Sequence, residues 1–181
     1  MSRRPWHRPP HQNRGEGNYH LSATCYEHKP IIGATVERMT EFEIKLLEVA
    51  EAHCSTIHAW CVLPNHYHLL AYTTDVDSVL TEFGKLHGRT SFLWNREDLS
   101  RGRRVWYSCV DRAIRSDRHF WATMNYVHHN PVHHRYVEGW EHWPFSNARD
   151  YLKQIGREEA ARIWRDFPVL DYGKGWDDPD M

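Results

Sequence analysis

Two short β-prone segments follow each other with only Pro64-Asn65 between them, at residues 56–63 and 66–73. The Pro-Asn pair punctuates the run, which predicts two consecutive strands. A first strand is predicted at residues 19–26, and a fourth is predicted at residues 105–110. Together the four segments predict a small β-sheet.

Three helices are predicted around these strands. Thr40 and Glu43 have the spacing of a capping box, and apolar residues then recur at helical intervals. The second helix starts within residues 75–78, and the third is capped at Ser116-Asp117 and ends at the Asn130-Pro131 break. The order β-α-β-β-α-β plus a further helix predicts an α+β, ferredoxin-like fold, with an antiparallel sheet and both main helices on one face.

The two ends of the chain differ from the middle in composition. Residues 1–18 are rich in Pro, Arg, Gly and His and lack periodicity, which predicts a flexible basic arm. Residues 152–181 predict an amphipathic helix followed by a tail. One folded domain over residues 19–151 is predicted between them, without an internal repeat.

The charge of the chain is nearly balanced but unevenly distributed. The formal net charge is −1 over 181 residues, so overall charge does not indicate a nucleic-acid partner. Arginines concentrate in the arm and between residues 96 and 118, whereas the last residues are acidic. Basic segments beside an acidic tail fit a polyanionic partner, and an ordinary mixed surface is the alternative.

The cysteine pattern and the lengths of the apolar segments indicate in which cellular compartment the protein is expected. Four cysteines occur without a CxxC pair, which predicts reduced and mostly buried thiols. The start of the chain is basic but lacks the apolar segment of a signal peptide. No stretch approaches the roughly 18 apolar residues of a membrane helix, so we expect a soluble, cytoplasmic protein.

The strongest local signal is the segment Leu63-Pro-Asn-His-Tyr-His-Leu-Leu70. Alternate side chains of a strand share a face, so His66 and His68 point the same way, about 6–7 Å apart along the backbone. Two imidazoles at that spacing can converge on one divalent ion, while Tyr67 faces the other side. Most His-x-His pairs bind nothing, so a metal site also needs a third ligand.

The predicted last helix offers a third ligand. Tyr126 and Asn130 stand four residues apart, hence on one helical face. The Asn130 amide oxygen can complete a ligand set with the two histidines, which places Tyr126 beside the same ion. A tyrosine hydroxyl is a competent nucleophile, and a metal beside a phosphodiester orients it for in-line attack. The alternative for Tyr126 is an aromatic residue that only packs the last helix.

Taken in order, these segments resemble the HUH single-tyrosine transposases, and among them the REP-associated tyrosine transposases. The resemblance covers about residues 19–151. The matching segments are Tyr19-His20-Leu21, Leu63-Pro-Asn-His-Tyr-His68, Leu86-His-Gly-Arg-Thr-Ser91, Val105-Trp106, Ile114-Arg115, Tyr126-Val-His-His-Asn-Pro-Val132 and Trp143-Pro-Phe-Ser146. Each motif is weak by itself, whereas the ordered set is specific.

The resemblance implies a ferredoxin-like domain that cleaves and rejoins single-stranded DNA. It assigns the metal ligands to His66, His68 and Asn130, the nucleophile to Tyr126, and the metal to Mg²⁺ or Mn²⁺. Family members form a 5′-phosphotyrosine link, leave a free 3′-hydroxyl and need no ATP. REP-associated members recognise hairpins of short palindromic repeats and tend to act as monomers, although some relatives dimerise.

Several residues depart from this pattern or extend it. Tyr67 replaces the usual aliphatic residue of the histidine motif, and strand alternation turns it away from the metal. Tyr107 and Tyr136 are weaker alternatives for the nucleophile. The doublets 128–129 and 133–134 diverge by about 100° on a helix, so we expect most of these histidines at the surface or facing DNA. A further hypothesis is that the tail folds back across the site and regulates access of DNA.

Arginines in the arm and in the middle of the chain are the candidates for DNA contact. Arginine makes bidentate phosphate contacts and stacks on unpaired bases, and a solvated basic loop is the alternative for each residue. The candidates are Arg3, Arg4, Arg101, Arg103, Arg104, Arg112 and Arg115. Trp60 and Trp106 are candidate base platforms, with a place in the core as the alternative.

Two other functions are compatible with these residues. One is a catalytically silent nucleic-acid-binding module of the same fold, although it would have no reason to retain Tyr126, both histidines and Asn130. The other is a metal-dependent hydrolase that uses activated water. A covalent protein–oligonucleotide adduct distinguishes the transposase from both.

Overall fold

The computed structural model describes residues 15–170 and 172–173. The helices and strands of that part are β1 (Gly17–Thr24), α1 (Val36–His53), β2 (Thr56–Val62), β3 (His66–Thr73), α2 (Val76–Glu97), β4 (Val110–Ala113), α3 (Asp117–His133), α4 (Ala148–Ile155) and α5 (Arg157–Asp166). Single 3₁₀ turns occur at Tyr26–His28, Ile32–Ala34 and Trp140–His142. None of the described helices is long and apolar enough to cross a membrane.

The four strands form one antiparallel sheet in the order β2-β3-β1-β4. Helices α1 and α2 pack together on one face, where Phe42, Phe83 and Leu69 belong to the main core. Helix α3 lies against β2 and β3 on the opposite face, where Leu70 and Val127 belong to a second apolar cluster. The predicted α+β class with an antiparallel sheet is confirmed.

The predicted N-caps agree with the structure for α2 and α3 but not for α1. Asp75 and Ser116 cap α2 and α3, since each side chain accepts a backbone N–H of the first turn at 3.1 Å. Helix α1 is capped by Thr35, and Thr40 lies inside it with its hydroxyl donating to the Val36 carbonyl. The predicted cap at Thr40 is therefore wrong, because capping-box spacing also occurs inside a helix that an earlier threonine caps.

The fourth strand lies later in the chain than predicted. Strand β4 begins at Val110, where the predicted segment 105–110 ends, so that prediction is wrong. Val105 and Trp106 are buried instead, and the Trp106 ring packs 5.3 Å from Phe42 in the main core. Val105 and Trp106 are apolar because they pack in the core, whereas the polar residues of β4 pair with β1 at the edge of the sheet.

Helix α3 continues through Asn130-Pro131 to His133, so the predicted end at that pair is wrong. A proline removes one backbone donor from a helix and disfavours the helical conformation before it. Helix α3 nevertheless continues past Pro131 and ends shortly afterwards, where the His134 N–H donates to the Asn130 carbonyl at 3.0 Å. As a result, Asn130 stays on the same continuous helix as Tyr126.

Strands and helices extend slightly beyond the predicted range 19–151 at both ends. Strand β1 begins at Gly17, inside the range assigned to the basic arm, and residues 1–14 lie outside the described part. At the other end, α4 continues to residue 155 and α5 follows it. Ile163 of α5 is buried, and its carbonyl accepts from the Asn125 side chain of α3 at 3.4 Å.

Candidate metal and nucleophile site

His66 and His68 project from the same face of β3. Both side chains are about 1% exposed, and their ring centroids lie 5.0 Å apart. Tyr67, between them, belongs to the main core on the opposite face of the sheet. The alternation of the strand therefore pairs the two imidazoles as the sequence predicted.

Helix α3 crosses this face and adds Asn130 and Tyr126 to the histidine pair. Oδ1 of Asn130 lies 2.9 Å from Nε2 of His66. The Tyr126 ring packs edge-on against His68, with centroids 5.1 Å apart, and is 6% exposed. The four residues predicted as ligands and nucleophile thus meet in one buried cluster, because i and i+4 residues of α3 face β3.

The donor atoms of this cluster fit a small divalent cation. Neighbouring ligands of an octahedral ion with bonds of about 2.1 Å stand roughly 3 Å apart, which matches the 2.9 Å between His66 and Asn130. Without a metal ion, rotation of the Asn130 amide by about 180° would let its NH₂ group donate a hydrogen bond to Nε2 of His66. No three His, Cys, Asp or Glu side chains of the described residues are grouped so that they could hold a metal ion, so a site on His66 and His68 would need a ligand of another type, such as Asn130.

His20 of β1 is a member of the cluster that the sequence reasoning missed. Its side chain is fully buried, and its Nε2 lies 3.0 Å from Nδ1 of His68. Its ring also packs 5.8 Å from Tyr126. The sequence did contain information that points to His20, because Tyr19-His20-Leu21 is the first of the segments that match the family. Strand alternation also turns the His20 side chain to the face of the sheet opposite the core residues Tyr19 and Leu21.

The tail reaches the same cluster through Tyr172 and Gly173. The Tyr172 hydroxyl lies 3.1 Å from Nδ1 of His20, and its ring packs 5.4 Å from Tyr126. Burial raises the pKa of Tyr172 to about 12. A Cβ atom at Gly173 would overlap the Tyr126 ring, so only glycine allows the backbone to approach this closely. This segment therefore lies directly over the candidate nucleophile.

Both the sequence and the fold of this chain are similar to those of known transposases. A Haemophilus influenzae protein named as a REP-associated tyrosine transposase is 28% identical over 136 residues, which covers 67% of this chain and 75% of the relative. The chain resembles the REP-associated tyrosine transposases. A solved structure of such a transposase bound to a REP hairpin has a TM-score of 0.59 at 19% identity, covering 87% of this chain and 89% of that one. No family model matches the chain.

The other tyrosines considered as nucleophiles, Tyr67, Tyr107 and Tyr136, lie away from the cluster of Tyr126, His66 and His68. The Tyr67 hydroxyl lies 3.2 Å from Nε2 of His87 in the core, where burial raises the pKa of Tyr67 well above its usual value. Tyr107 packs against Tyr26, with ring centroids 5.0 Å apart. Tyr136 is partly exposed and packs on Trp143. Of these tyrosines, none stands beside His66 and His68 as Tyr126 does.

Two of the candidate DNA-contacting arginines are engaged in the protein itself. Arg103 donates to Asp98 at 2.7 Å and to Asn95 at 2.9 Å. Arg104 donates to the Trp106 carbonyl at 3.1 Å and lies over the Tyr26 ring, 4.7 Å from its centroid. These contacts hold the connection between α2 and β4 against the rest of the fold.

The other candidate arginines that the structure describes, Arg101, Arg112 and Arg115, lie at separate places in the fold. Arg112 of β4 pairs in register with His20, so its side chain leaves the sheet on the same face as the cluster. Arg115 is exposed just before α3, and Arg101 lines an open, mainly apolar cavity of about 690 Å³. Arg3 and Arg4 lie outside the described residues.

The histidine doublets of α3 are more buried than the sequence predicted. His128 is buried, bonds Asn147 at 3.0 Å, and has its pKa lowered to about 4 by burial. His129 stacks on Trp164 with centroids 3.8 Å apart, and His133 is exposed. The surface prediction is wrong for His128, because the segments after α3 fold back over it. The His134 ring packs 4.9 Å from His66, a contact that helical spacing did not suggest.

Proposed function

We propose that this protein is a metal-dependent, single-tyrosine DNA transposase that cleaves and rejoins single-stranded, hairpin-bearing DNA. The observation that carries the proposal is the meeting of Tyr126 with His66, His68 and Asn130 in one buried cluster. The strand order supports a ferredoxin-like domain of the HUH type. The similarity to REP-associated tyrosine transposases in sequence and fold supports the same function.

The residues of the cluster divide the proposed chemistry between them. The Tyr126 oxygen attacks the phosphorus, the bond from phosphorus to the 3′ oxygen breaks, and the 5′-phosphate stays on the tyrosine. The phenol loses its proton and the departing 3′ oxygen takes one up. His66, His68 and Asn130 would hold Mg²⁺ or Mn²⁺, which supplies charge neutralisation and orientation of the phosphate. A 3′-hydroxyl that attacks the phosphotyrosine reverses the step, so no ATP is required.

The ligand set favours Mn²⁺ over Mg²⁺ for this site. Mg²⁺ prefers oxygen ligands and keeps much of its water, whereas Mn²⁺ is a first-row transition metal that also prefers oxygen but accepts imidazole more readily than Mg²⁺ does. Two of the three candidate ligands are imidazoles, and both are about 1% exposed. We therefore propose Mn²⁺ as the better activator, with Mg²⁺ as the weaker alternative.

The proposed partner is single-stranded DNA that carries a hairpin or palindromic repeat. The solved transposase with the similar fold is bound to a REP hairpin, and Arg112 leaves the sheet on the face of the cluster. A monomer is sufficient, because one chain supplies Tyr126 and all three candidate ligands. Arg101 and Arg115, which are exposed, remain candidate phosphate contacts.

The proposal is tested by incubating the full chain with labelled single strands. The strands come from the flanks of the gene and include predicted hairpins, with Mn²⁺ present and with EDTA as the metal-free control. A transposase gives a covalent adduct that survives a denaturing gel, together with a free 3′-hydroxyl fragment. Binding without an adduct supports the silent module, and cleavage without an adduct supports a hydrolase.

We also propose that the tail restricts access to Tyr126, because Tyr172 and Gly173 cover its ring. Removal of residues 171–181 should raise the rate of adduct formation, by about tenfold if docking of the tail is worth about 1.4 kcal/mol. The cut falls after α5, since Ile163 of that helix is buried and deleting it would disturb the fold. Removal of residues 174–181 alone is the control. An unchanged rate and DNA affinity in the longer truncation would contradict the proposal.

A further inference from the structure

The ring of His66 is held by the residue before it. Nδ1 of His66 lies 2.7 Å from Oδ1 of Asn65. The other end of the Asn65 amide donates to the His28 carbonyl at 3.1 Å, which identifies Oδ1 as the atom directed at His66. Since that oxygen only accepts, Nδ1 of His66 is the donor. The neutral His66 ring therefore presents a lone pair on Nε2, the nitrogen that faces Asn130.

The ring of His68 is held in the same way from the neighbouring strand. Its Nδ1 lies 3.0 Å from Nε2 of His20, and Nδ1 of His20 lies 3.1 Å from the Tyr172 hydroxyl. One consistent assignment lets Nδ1–H of His68 donate to Nε2 of His20, while Nδ1–H of His20 donates to Tyr172. In this assignment Nε2 is the ligand atom of His68, as it is of His66.

We propose that Asn65 and His20 are positioning residues that fix the tautomer and ring rotation of the two metal-binding histidines. The inference rests on the proposed function, because it takes His66 and His68 as metal ligands. Each positioning residue occupies Nδ1, so that both Nε2 atoms are available to one cation. Partners of this kind also make the imidazole a better ligand.

The backbone around both positioning residues is well anchored. The Asn65 carbonyl accepts from the Cys25 N–H at 2.7 Å, and the Pro64 carbonyl accepts from the Gly33 N–H at 2.9 Å. His20 is fully buried in the middle of β1, paired with Leu70. Positions held this firmly can orient a ligand, and they explain why an asparagine precedes the histidine motif.

Tyr172 is not a positioning residue in this scheme. Its hydroxyl belongs to the tail, which must leave the site before DNA can reach Tyr126 if the tail restricts access as proposed. A water molecule can then accept the hydrogen bond that Nδ1–H of His20 donates to Tyr172. The scheme depends only on residues of the sheet and of the turn between β2 and β3. Tail removal is therefore expected to leave metal affinity unchanged.

The test is the affinity of the full-length protein for Mn²⁺ without DNA, measured from the electron paramagnetic resonance signal of free Mn²⁺. His20→Ala and Asn65→Ala should each weaken binding by about 10–100-fold. His20→Gln and Asn65→Asp retain an acceptor oxygen and should recover most of the affinity. His58→Ala is the matched control, since His58 forms a similar pair with Asn18 at 2.8 Å but is outside the cluster. Binding of hairpin DNA in EDTA should not change in any variant.

His66→Ala separates failure of this inference from failure of the proposed function. If His66→Ala binds Mn²⁺ as tightly as the wild type, the proposed metal site is wrong. If His66→Ala loses Mn²⁺ while the folded His20→Ala and Asn65→Ala variants keep it, only the positioning role is wrong. Circular dichroism checks folding. Should His20→Ala not fold, Asn65→Ala decides, and full Mn²⁺ affinity in that variant overturns the inference.

Discussion

The Tyr126→Phe variant is expected to form no covalent adduct with hairpin-bearing DNA, and its cleavage rate should fall by more than about 1,000-fold. Phenylalanine keeps the ring that packs against His68 and Tyr172, but it has no oxygen to attack phosphorus. Because the ring contacts survive, the fold and the non-covalent affinity for DNA should stay close to those of the wild type. A labelled oligonucleotide on a denaturing gel measures the adduct, and a native gel in EDTA measures binding.

Tyr67→Phe is the matched control for this prediction. It removes a hydroxyl 3.2 Å from His87 in the core, so we expect a loss of stability of about 1 kcal/mol with the adduct retained. Cleavage that persists in Tyr126→Phe without an adduct would instead indicate activated water as the nucleophile. An adduct that persists would identify another residue as the nucleophile and refute the assignment to Tyr126.

The second large effect is expected from His66→Ala, which should lower both Mn²⁺ affinity and metal-dependent cleavage by at least about 100-fold. The substitution removes the imidazole whose Nε2 lies 2.9 Å from Oδ1 of Asn130. His68 and Asn130 alone cannot hold a divalent ion firmly, since two ligands leave most of the coordination shell to water. Titration of Mn²⁺ and the initial rate of adduct formation measure the two losses separately.

Two further variants make the His66 prediction specific. His133→Ala removes an exposed histidine from the end of α3 and should leave both quantities unchanged. Asn130→Ala should weaken Mn²⁺ binding, whereas Asn130→Asp keeps an oxygen ligand, adds a negative charge and should bind Mn²⁺ at least as well as the wild type. Equal losses in Asn130→Ala and Asn130→Asp would show that Asn130 is not a metal ligand.

Strands β2 and β3 could be predicted almost to the residue, because each is a continuous β-prone run with Pro64-Asn65 between them. Strand β4 could not, since its four residues carry Asp111 and Arg112 and only pairing with β1 defines it. The more apolar neighbours of β4 belong to the core. Local pattern therefore succeeds where a strand makes its own apolar surface and fails at a polar sheet edge.

In the candidate site, too, local sequence patterns predict which residues share one element's face but not how separate elements pack together. His66 and His68 share a face through strand alternation, and Tyr126 and Asn130 share a face through helical spacing. Each pair is thus predictable from local geometry alone. The convergence of the two pairs was implied by the family resemblance, and the packing of α3 on β3 brings them into contact.

The amino-acid sequence by itself determined most of the elements of this protein, with β4 as the exception, and the residues that share a face of each element, because side-chain periodicity depends only on the local backbone. The tertiary structure alone decided which residues surround those pairs. His20 reaches His68 across β1 and β3, and Tyr172 reaches His20 over 152 positions of chain. Such contacts arise from the packing of the whole fold, so no spacing in the sequence encodes them.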